Sequence, residues 1–428
     1  MEVIQEQYKD TKIGRIPKNW EVVILNDLLN LLTDFEANGS FASVKENVQV
    51  SEGIDYAWYV RATDLEKKST LDKVKYVNES SYSFLKKTKL DGDEVLITKR
   101  GEIGKVYHFE KPLDTPCTLA PNLYLLKIND KVFSKYLYYY FKNNEGSKLL
   151  KRINGSTTIG ALYKNDVKKI KVKLPPLPEQ QKIAEILSTV DEQISATECI
   201  IEKSKELKKG LMQKLFSEGI GHTEFKDTKI GRIPKDWEVV SLGNALSKIV
   251  GGGTPSRSIS EYWNGEIPWA SVKDFTKARR SSTKEYITQD GLKNSSSNLI
   301  PKNTLIIPTR MGLGRVIEFD VDVAINQDLK ALFPKNNLLN DFLNCWLQSI
   351  AKKIKDQGTG STVKGIRLDL LKSFLMVLPS LSEQQKIAEI LSEADAKIEK
   401  EEQEKAHLEQ LKKGLMQQLL TGQKRVKV

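Results

Sequence analysis

Two stretches of the chain have the hydrophobic spacing of long amphipathic helices. The apolar positions of residues 179–216 are Ile183, Leu187, Val190, Ile194, Ile201, Leu207, Leu211 and Leu215, and those of residues 383–420 are Ile387, Leu391, Ala394, Ile398, Leu408, Leu411, Leu415 and Leu419. Alternating steps of four and three residues indicate a coiled-coil stripe. A proline-containing segment precedes each stripe, where a helix start tolerates proline. Roughly 38 residues at about 1.5 Å each predict helices of about 57 Å.

Neither predicted helix can bury its stripe alone, so the simplest arrangement packs the two against each other. A long globular stretch separates them in the chain, which leaves parallel and antiparallel packing both sterically open. Similar helices related by a pseudo-twofold axis perpendicular to them run antiparallel, and that is the arrangement we expect.

The remaining sequence alternates strand-like and helix-like segments. Residues 93–109 and 303–319 each read as a strand, a basic turn containing glycine, and a returning strand. Residues 135–143 and 341–349 suit buried helices. The pattern predicts mixed α/β (α+β) globular domains.

The chain contains two copies of one module. Residues 9–23 and 226–240 differ at one position, Asn19 against Asp236, and both EQQKIAEILS and LKKGLMQ occur twice. Matches of this length are the signature of an internal repeat. We therefore predict globular domains over 1–178 and 217–382, a central helix over 179–216, and a C-terminal helix with a basic tail over 383–428.

Positive charge is concentrated outside the helices. The chain has 67 Lys and Arg residues against 56 Asp and Glu, a net charge of +11. Each globular stretch carries +6, the two helices carry −1 and −3, and the last eight residues carry +3. This distribution favours globular parts that meet a polyanion and helices that meet protein, although an unspecialised basic surface would give the same count.

The sequence offers no constellation for catalysis or metal binding. Its three cysteines and three histidines are far apart, without metal-ligand spacing. The segment from Gly101 to Lys105 resembles a phosphate loop, but Val106 follows the lysine where that motif requires Ser or Thr. No apolar run of about 18 residues could span a bilayer, and the N-terminus is unlike a signal peptide. We expect a cytoplasmic, non-catalytic protein without a membrane partner.

The two basic turns are the strongest candidates for contacts with nucleic acid. They place hydroxyl and basic side chains in a glycine-containing loop, which suits phosphate or base-edge contacts, although they could equally be ordinary hairpin turns. The predicted DNA contacts in these turns are Thr98, Lys99, Arg100, Thr309 and Arg310, and the weaker phosphate candidates elsewhere are Lys67, Lys68, Lys273, Arg279 and Arg280. The GST tripeptides at Gly155 and Gly360 could likewise hold a phosphate or form a simple turn.

Taken together, these motifs resemble the specificity subunit of type I restriction-modification systems. The resemblance rests on KIGRIPKNWEVV, the segment from Gly251 to Phe275, the GST turns and the repeated helix motifs, and it covers essentially the whole chain. The first globular stretch lacks GGTP and YWNG and carries DFEANGSFASVKEN from Asp34 to Asn47 instead. Within such a family, this departure implies two different half-sites in DNA.

The resemblance also implies a mechanism and partners. Each globular stretch would be a target recognition domain that reads one half of a bipartite double-stranded DNA site, with the helices setting the unread gap. Two methyltransferase (modification) subunits would dock on the helices, where the predicted partner-binding residues are Ile183, Leu187, Ile387 and Leu391, and methylate adenine with S-adenosylmethionine. Restriction subunits, which use ATP and Mg, would join them, and this chain would hold no cofactor.

Two other classes of protein remain as alternatives. A self-contained methyltransferase or nuclease would need catalytic motifs, and the single Pro-Pro pair at Pro175 and Pro176 does not belong to the Asn/Asp-Pro-Pro-aromatic motif. A coiled-coil scaffold without a DNA role would not show salt-sensitive binding to random duplex.

Overall fold

The structure, a computed structural model, describes residues 8–153, 161–275, 279–359 and 364–427, with only the backbone for Arg279 and Arg280. The chain divides into two compact units, residues 1–198 with 404–428 and residues 199–403. Two long helices, Leu177–Ser217 and Leu381–Leu420, each contribute one part to each unit. Among the described residues, no helix is long and apolar enough to cross a membrane.

The first unit contains mostly short strands and helices. Its strands are Tyr8–Lys9, Ile16–Pro17, Glu21–Ile24, Leu29–Asp34, Val50–Ser51, Ala57–Val60, Tyr76–Val77, Lys89–Leu90, Glu94–Thr98, Val106–Phe109, Cys117–Leu119, Leu123–Ile128 and Lys171–Leu174. Its shorter α-helices are Phe41–Asn47, Ala62–Lys67, Glu79–Phe84, Ser134–Lys142, Asn144–Arg152 and Lys164–Lys168.

The second unit has a similar order of elements. Its strands are Phe225–Thr228, Gly231–Pro234, Glu238–Ser241, Leu246–Gly251, Trp263–Ala270, Arg279–Arg280, Glu285–Ile287, Asn298–Ile300, Leu305–Pro308, Glu318–Phe319, Val323–Ile325, Leu329–Pro334 and Leu375–Leu378. Its shorter α-helices are Leu242–Ala245, Gln289–Lys293, Asn340–Ser349, Ala351–Asp356 and Leu368–Ser373. The mixed α/β composition and the two buried helices predicted from the sequence are confirmed.

Strand register shows which positions of the two units are equivalent. In the first unit, the strand Leu123–Ile128 lies between two antiparallel neighbours, so that Leu123 pairs with Thr98 and Tyr124 pairs with Asp34. In the second unit, the strand Leu329–Pro334 holds the same place, pairing Leu329 with Pro308 and Lys330 with Gly251. Thr98 therefore corresponds to Pro308, and Asp34 corresponds to Gly251.

Only the first of the two predicted hairpins forms completely. Glu94–Thr98 pairs antiparallel with Val106–Phe109, as predicted. In the second unit, the returning strand makes one antiparallel bridge, from Ile317 to Ile306, and then pairs in parallel with Arg279–Arg280. The predicted strand, turn and returning strand are present in the second unit as well, but their ladder is shorter: besides the bridge between Ile306 and Ile317, the amide of Asn303 donates to the carbonyl of Phe319 at 2.7 Å.

The long helices run antiparallel within each unit, as predicted. Ion pairs between the two helices show their relative direction, because residues further along the first helix pair with residues that come earlier in the second. In the first unit the pairs are Asp191 with Lys412 and Glu198 with Lys405, and in the second unit they are Lys205 with Glu402 and Lys208 with Asp395. The prediction of paired coiled-coil helices is thereby confirmed.

A buried tryptophan ties the repeated N-terminal segment of each unit to the start of a long helix. Trp20 and Trp237 are fully or almost fully buried. Their indole N–H groups donate to the carboxylates of Glu179 at 3.1 Å and Glu383 at 2.9 Å. Burial of a large aromatic with its polar group satisfied accounts for the tryptophan at the same place in both copies.

The four predicted partner-binding side chains lie in the hydrophobic cores instead. Ile183 and Leu187 are fully buried in the core of the first unit, and Ile387 and Leu391 are fully buried in that of the second. The globular stretch of each unit covers this part of the stripe, which leaves these side chains no surface to offer a partner.

Candidate nucleic-acid interface

The basic turn of the first unit is fixed by its own threonine. Thr98 is buried, and its hydroxyl donates to the carbonyl of Glu102 at 2.5 Å and accepts from the amide of Lys105 at 2.9 Å. Gly101 and Gly104 have positive φ angles of 77°, which glycine adopts without strain. The Thr98 hydroxyl therefore shapes the turn and is not presented to a ligand.

Lys99 is also turned inward. Its side chain is 5% exposed, and its ammonium group lies 2.7 Å from Asp34, which a second lysine, Lys164, contacts at 2.7 Å. Burial raises the pKa of Asp34, but the hydrogen bonds and charges of the two lysines outweigh it and hold that pKa below its ordinary value. Lys99 thus anchors the turn to the end of the strand Leu29–Asp34, which lies on the far side of Leu123–Ile128 in the same sheet.

Arg100 points outward from this turn. Its side chain is 59% exposed, and its Nη2 atom lies 3.6 Å from a carboxylate oxygen of Glu36. Its backbone forms an antiparallel bridge with Ala161, and Leu162 donates to the carbonyl of Lys99 at 3.1 Å. The bridge joins the turn to the segment that follows the first GST tripeptide, and that tripeptide itself lies outside the described residues.

The second unit repeats this arrangement with different side chains. Thr309 is buried, and its amide and hydroxyl donate to the carbonyl of Asp328 at 2.8 and 3.1 Å. Arg310 is 62% exposed, and its Nη1 atom lies 3.9 Å from the Asp328 carboxylate. Its backbone forms an antiparallel bridge with Gly365, which follows the second GST tripeptide. That tripeptide lies outside the described residues.

A glycine-rich loop lies beside this second turn. A Cβ atom on Gly252 would lie 1.8 Å from the carbonyl oxygen of Ile325, and Gly253 donates its amide to that oxygen at 3.0 Å. The hydroxyl of Thr254 donates to Gln327 at 2.5 Å. The glycines therefore let this loop approach the segment that ends in Asp328.

The structure brings these segments together at equivalent places. We define the three-loop surface of the first unit as residues 34–38, 98–104 and 120–122, and that of the second unit as residues 251–255, 308–314 and 326–328. Strand pairing places each set at one end of an antiparallel sheet. Arg100 and Arg310 occupy the same position in the two surfaces.

The weaker candidates lie close to these surfaces. Lys67 and Lys68 are exposed at the end of a helix whose Glu66 forms an ion pair with Lys105 of the first turn. Lys273 is exposed in a short turn, Val272–Asp274, which lies against Gly312 of the second turn. Arg279 and Arg280 form a strand beside Glu318–Phe319, and their side chains are not among those described.

Sequence reasoning missed the carboxylates that face the two arginines, Glu36 and Asp328. It also missed Arg257, whose guanidinium lies 3.7 Å from the centre of the Trp263 ring and forms two hydrogen bonds to Glu285, at 2.5 and 3.1 Å. The signal for Arg257 was its place directly after the GGGTPS segment. Glu36 and Asp328 gave no local signal, because their partners come from other strands.

The long helices expose an apolar position that the stripe does not explain. Leu207 is 62% exposed and Leu411 is 43% exposed, so their predicted burial in the stripe is wrong. Both belong to the repeated LKKGLMQ motif, in which Gly210 and Gly414 follow three residues later. A Cβ atom on either glycine would meet no atom within 4 Å. The motif thus leaves open surface on each unit.

Within the part of the chain that the structure describes, no group of three or more His, Cys, Asp or Glu side chains could hold a metal ion. The exposed guanidinium groups of Arg100 and Arg310 give each three-loop surface a cation that can contact an anionic ligand. The fold and these surfaces define a protein with two similar recognition domains carried on paired helices.

Comparison with known proteins agrees with this class. The family described as the type I restriction modification DNA specificity domain matches residues 17–206 and 234–410. A putative type I restriction enzyme specificity subunit of Methanocaldococcus jannaschii, MjaX, is 32% identical over 99% of this chain and 98% of its own length. The EcoR124I/EcoR124II specificity subunit of Escherichia coli is 30% identical over 62% of this chain and 64% of its own length.

A solved structure shows the same fold. The type I restriction-modification S subunit from M. genitalium has a TM-score of 0.57 at 17% identity, covering 94% of this chain and 96% of that one. The chain belongs to the family of type I restriction enzyme specificity subunits. This membership supports the DNA-reading interpretation over the self-contained enzyme and the scaffold.

Proposed function

We propose that this chain reads a bipartite, asymmetric DNA site for a type I restriction-modification complex, one half-site with each unit. The observation that carries the proposal is the pair of exposed arginines, Arg100 and Arg310, which lie at the same place in two surfaces that otherwise differ. Equivalent arginines suit guanine recognition in the major groove, and unlike surroundings give the two halves different sequences.

The buried residues of the turns restrict which side chains act as readers. Thr98, Lys99 and Thr309 stabilise the turns from within, so we narrow the proposed base contacts to Arg100 and Arg310. Lys67, Lys68, Lys273, Arg279 and Arg280 remain proposed phosphate contacts. Two readers on one face of B-DNA would place their half-sites about one helical turn, roughly 10 base pairs, apart.

Catalysis belongs to partner subunits in this proposal. Two modification subunits would methylate adenine with S-adenosylmethionine, and restriction subunits would use ATP and Mg. This chain contributes binding and orientation of the DNA.

The experiment maps adenine methylation in cells that carry this chain and its modification subunits. We expect a split motif in the wild type. Arg100→Ala and Arg310→Ala should each cost about 1–3 kcal/mol at one base pair and relax preference in one half-site only. An equal loss on all sequences would make the arginine a phosphate contact, and a single unsplit motif would refute the proposal.

The open helix positions suit the docking of two copies of the modification subunit. A glycine inside a helix costs about 1 kcal/mol relative to alanine, yet Gly210 and Gly414 occur at matching positions where a Cβ atom would meet no atom within 4 Å. An exposed leucine lies one turn before each, and beside Gly414 there is an open groove of about 900 Å³. A small residue beside a large apolar one allows a partner helix to approach closely.

Bulky substitutions test this docking. Gly210→Leu and Gly414→Leu should each reduce the complex from two modification subunits to one, measured by native mass spectrometry, without lowering the stability of the free chain. Ala406→Leu, at another exposed position of the same helix as Gly414, is the matched control. Retention of two modification subunits in the Gly210→Leu, Gly414→Leu double variant would refute this docking surface.

A further inference from the structure

Each exposed arginine of the three-loop surfaces faces a carboxylate. Arg100 lies 3.6 Å from Glu36, and Arg310 lies 3.9 Å from Asp328. A carboxylate beside an arginine is unexpected at a surface that binds DNA, because it repels the phosphate backbone.

The two carboxylates come from positions that are not equivalent. Glu36 lies two residues after Asp34, and its counterpart two residues after Gly251 is Gly253. Asp328 directly precedes Leu329, and its counterpart directly before Leu123 is Asn122. The two units thus place an acid beside the same arginine in different ways, which a shared ancestral residue does not explain.

Stability does not account for these pairs. Both arginines are more than half exposed, and ion pairs of such separation and exposure contribute little to folding. Both residues have other contacts that fix their position. A carboxylate oxygen of Glu36 lies 3.1 Å from the buried ammonium group of Lys99, and the backbone carbonyl of Asp328 accepts two hydrogen bonds from Thr309.

We propose that Glu36 and Asp328 are positioning residues that determine specificity through Arg100 and Arg310. Each carboxylate orients a guanidinium toward the base edges and opposes its placement against a phosphate, which carries the same negative charge. The arginine is then free to make a bidentate contact to guanine rather than a sequence-independent contact to the backbone. This proposal rests on the proposed function as a DNA reader.

The test uses the full complex with the modification subunits and compares Glu36→Gln and Asp328→Asn with the wild type. Two quantities are measured for each variant. The first is the ratio of the affinity for unmodified duplex that carries the mapped motif to the affinity for random duplex, and the second is the salt dependence of binding to random duplex. We expect the ratio to fall about tenfold or more, mainly because binding to random duplex tightens, and the salt slope on random duplex to steepen by about one charge. Methylation mapping should show relaxed preference in one half-site for Glu36→Gln and in the other for Asp328→Asn.

Matched controls separate this effect from a general loss of negative charge. Glu52→Gln removes an exposed carboxylate that pairs with Lys75 in the first unit, and Asp290→Asn removes an exposed one from the second unit. Neither should change the ratio. Glu36→Gln should also have no further effect when Arg100 is already alanine, because the carboxylate acts through that arginine.

Some results would overturn the proposal while leaving the proposed function intact. These are an unchanged affinity ratio in both variants, or a change of equal size in Glu52→Gln and Asp290→Asn. Failure of the wild-type complex to methylate a split motif would instead remove the proposed function. Thermal melting of each variant excludes unfolding as the cause of any change.

Discussion

Arg425, in the C-terminal tail, should stabilise the first unit through its ion pair with Glu179. Glu179 is 2% exposed and accepts two hydrogen bonds from the guanidinium of Arg425, at 2.5 and 2.7 Å, as well as the indole N–H of Trp20. Arg425→Gln would leave this buried carboxylate without its cation. Breaking a buried ion pair costs about 3–5 kcal/mol, and since Arg425 is itself 23% exposed we expect about 2–4 kcal/mol.

Hydrogen exchange measures this loss where it occurs. A loss of about 3 kcal/mol corresponds to about 100-fold faster local opening, which should appear in the amides of residues 179–190. Because the second unit has its own anchor, in which His222 and Trp237 contact Glu383 at 2.9 Å, amides of residues 383–394 serve as an internal reference.

The double variant Glu179→Gln, Arg425→Gln decides the cause. It removes the uncompensated charge, so exchange should return most of the way toward the wild-type rate. Acceleration below about threefold in Arg425→Gln would refute this account, as would a double variant that exchanges as fast as the single one.

Lys99 and Lys164 hold the pKa of Asp34 below its ordinary value despite burial. The ionised carboxylate therefore stabilises the fold above the unfolded-state pKa, and this stabilisation is lost as the pH falls through the lower, folded-state pKa. The melting temperature should fall more steeply in acid for the wild type than for Asp34→Asn, and parallel curves would contradict this. Gly314→Ala would place a Cβ atom 2.5 Å from the carbonyl oxygen of Ala351 at a φ of 79°, and should lower the free energy of unfolding by about 1–3 kcal/mol in chemical denaturation. Gly101→Ala has a similar φ of 77° but no atom within 4 Å of the new Cβ, and should cost about 1 kcal/mol. Equal losses would show that the steric contact with Ala351 contributes nothing.

Some features of the site could be predicted from sequence and others could not. The two basic turns were identified from glycine and arginine between strand-like segments, and the turns form where predicted. Which side chains face outward was not predictable, because Lys99 is drawn inward by Asp34, 65 residues away, and by none of its neighbours. Likewise, the apolar spacing of the helices did not reveal that Leu207 and Leu411 lie outside the buried stripe.

The sequence by itself determined the twofold repeat, the two long helices and the mixed α/β character of each copy, because these depend on local identity and on the periodicity of neighbouring residues. Tertiary structure decided the rest: the strand register that aligns the two turns, the burial of Thr98, Lys99 and Thr309, and the carboxylates beside Arg100 and Arg310. These features depend on contacts between segments far apart in the chain, and no short-range pattern of residues encodes such contacts.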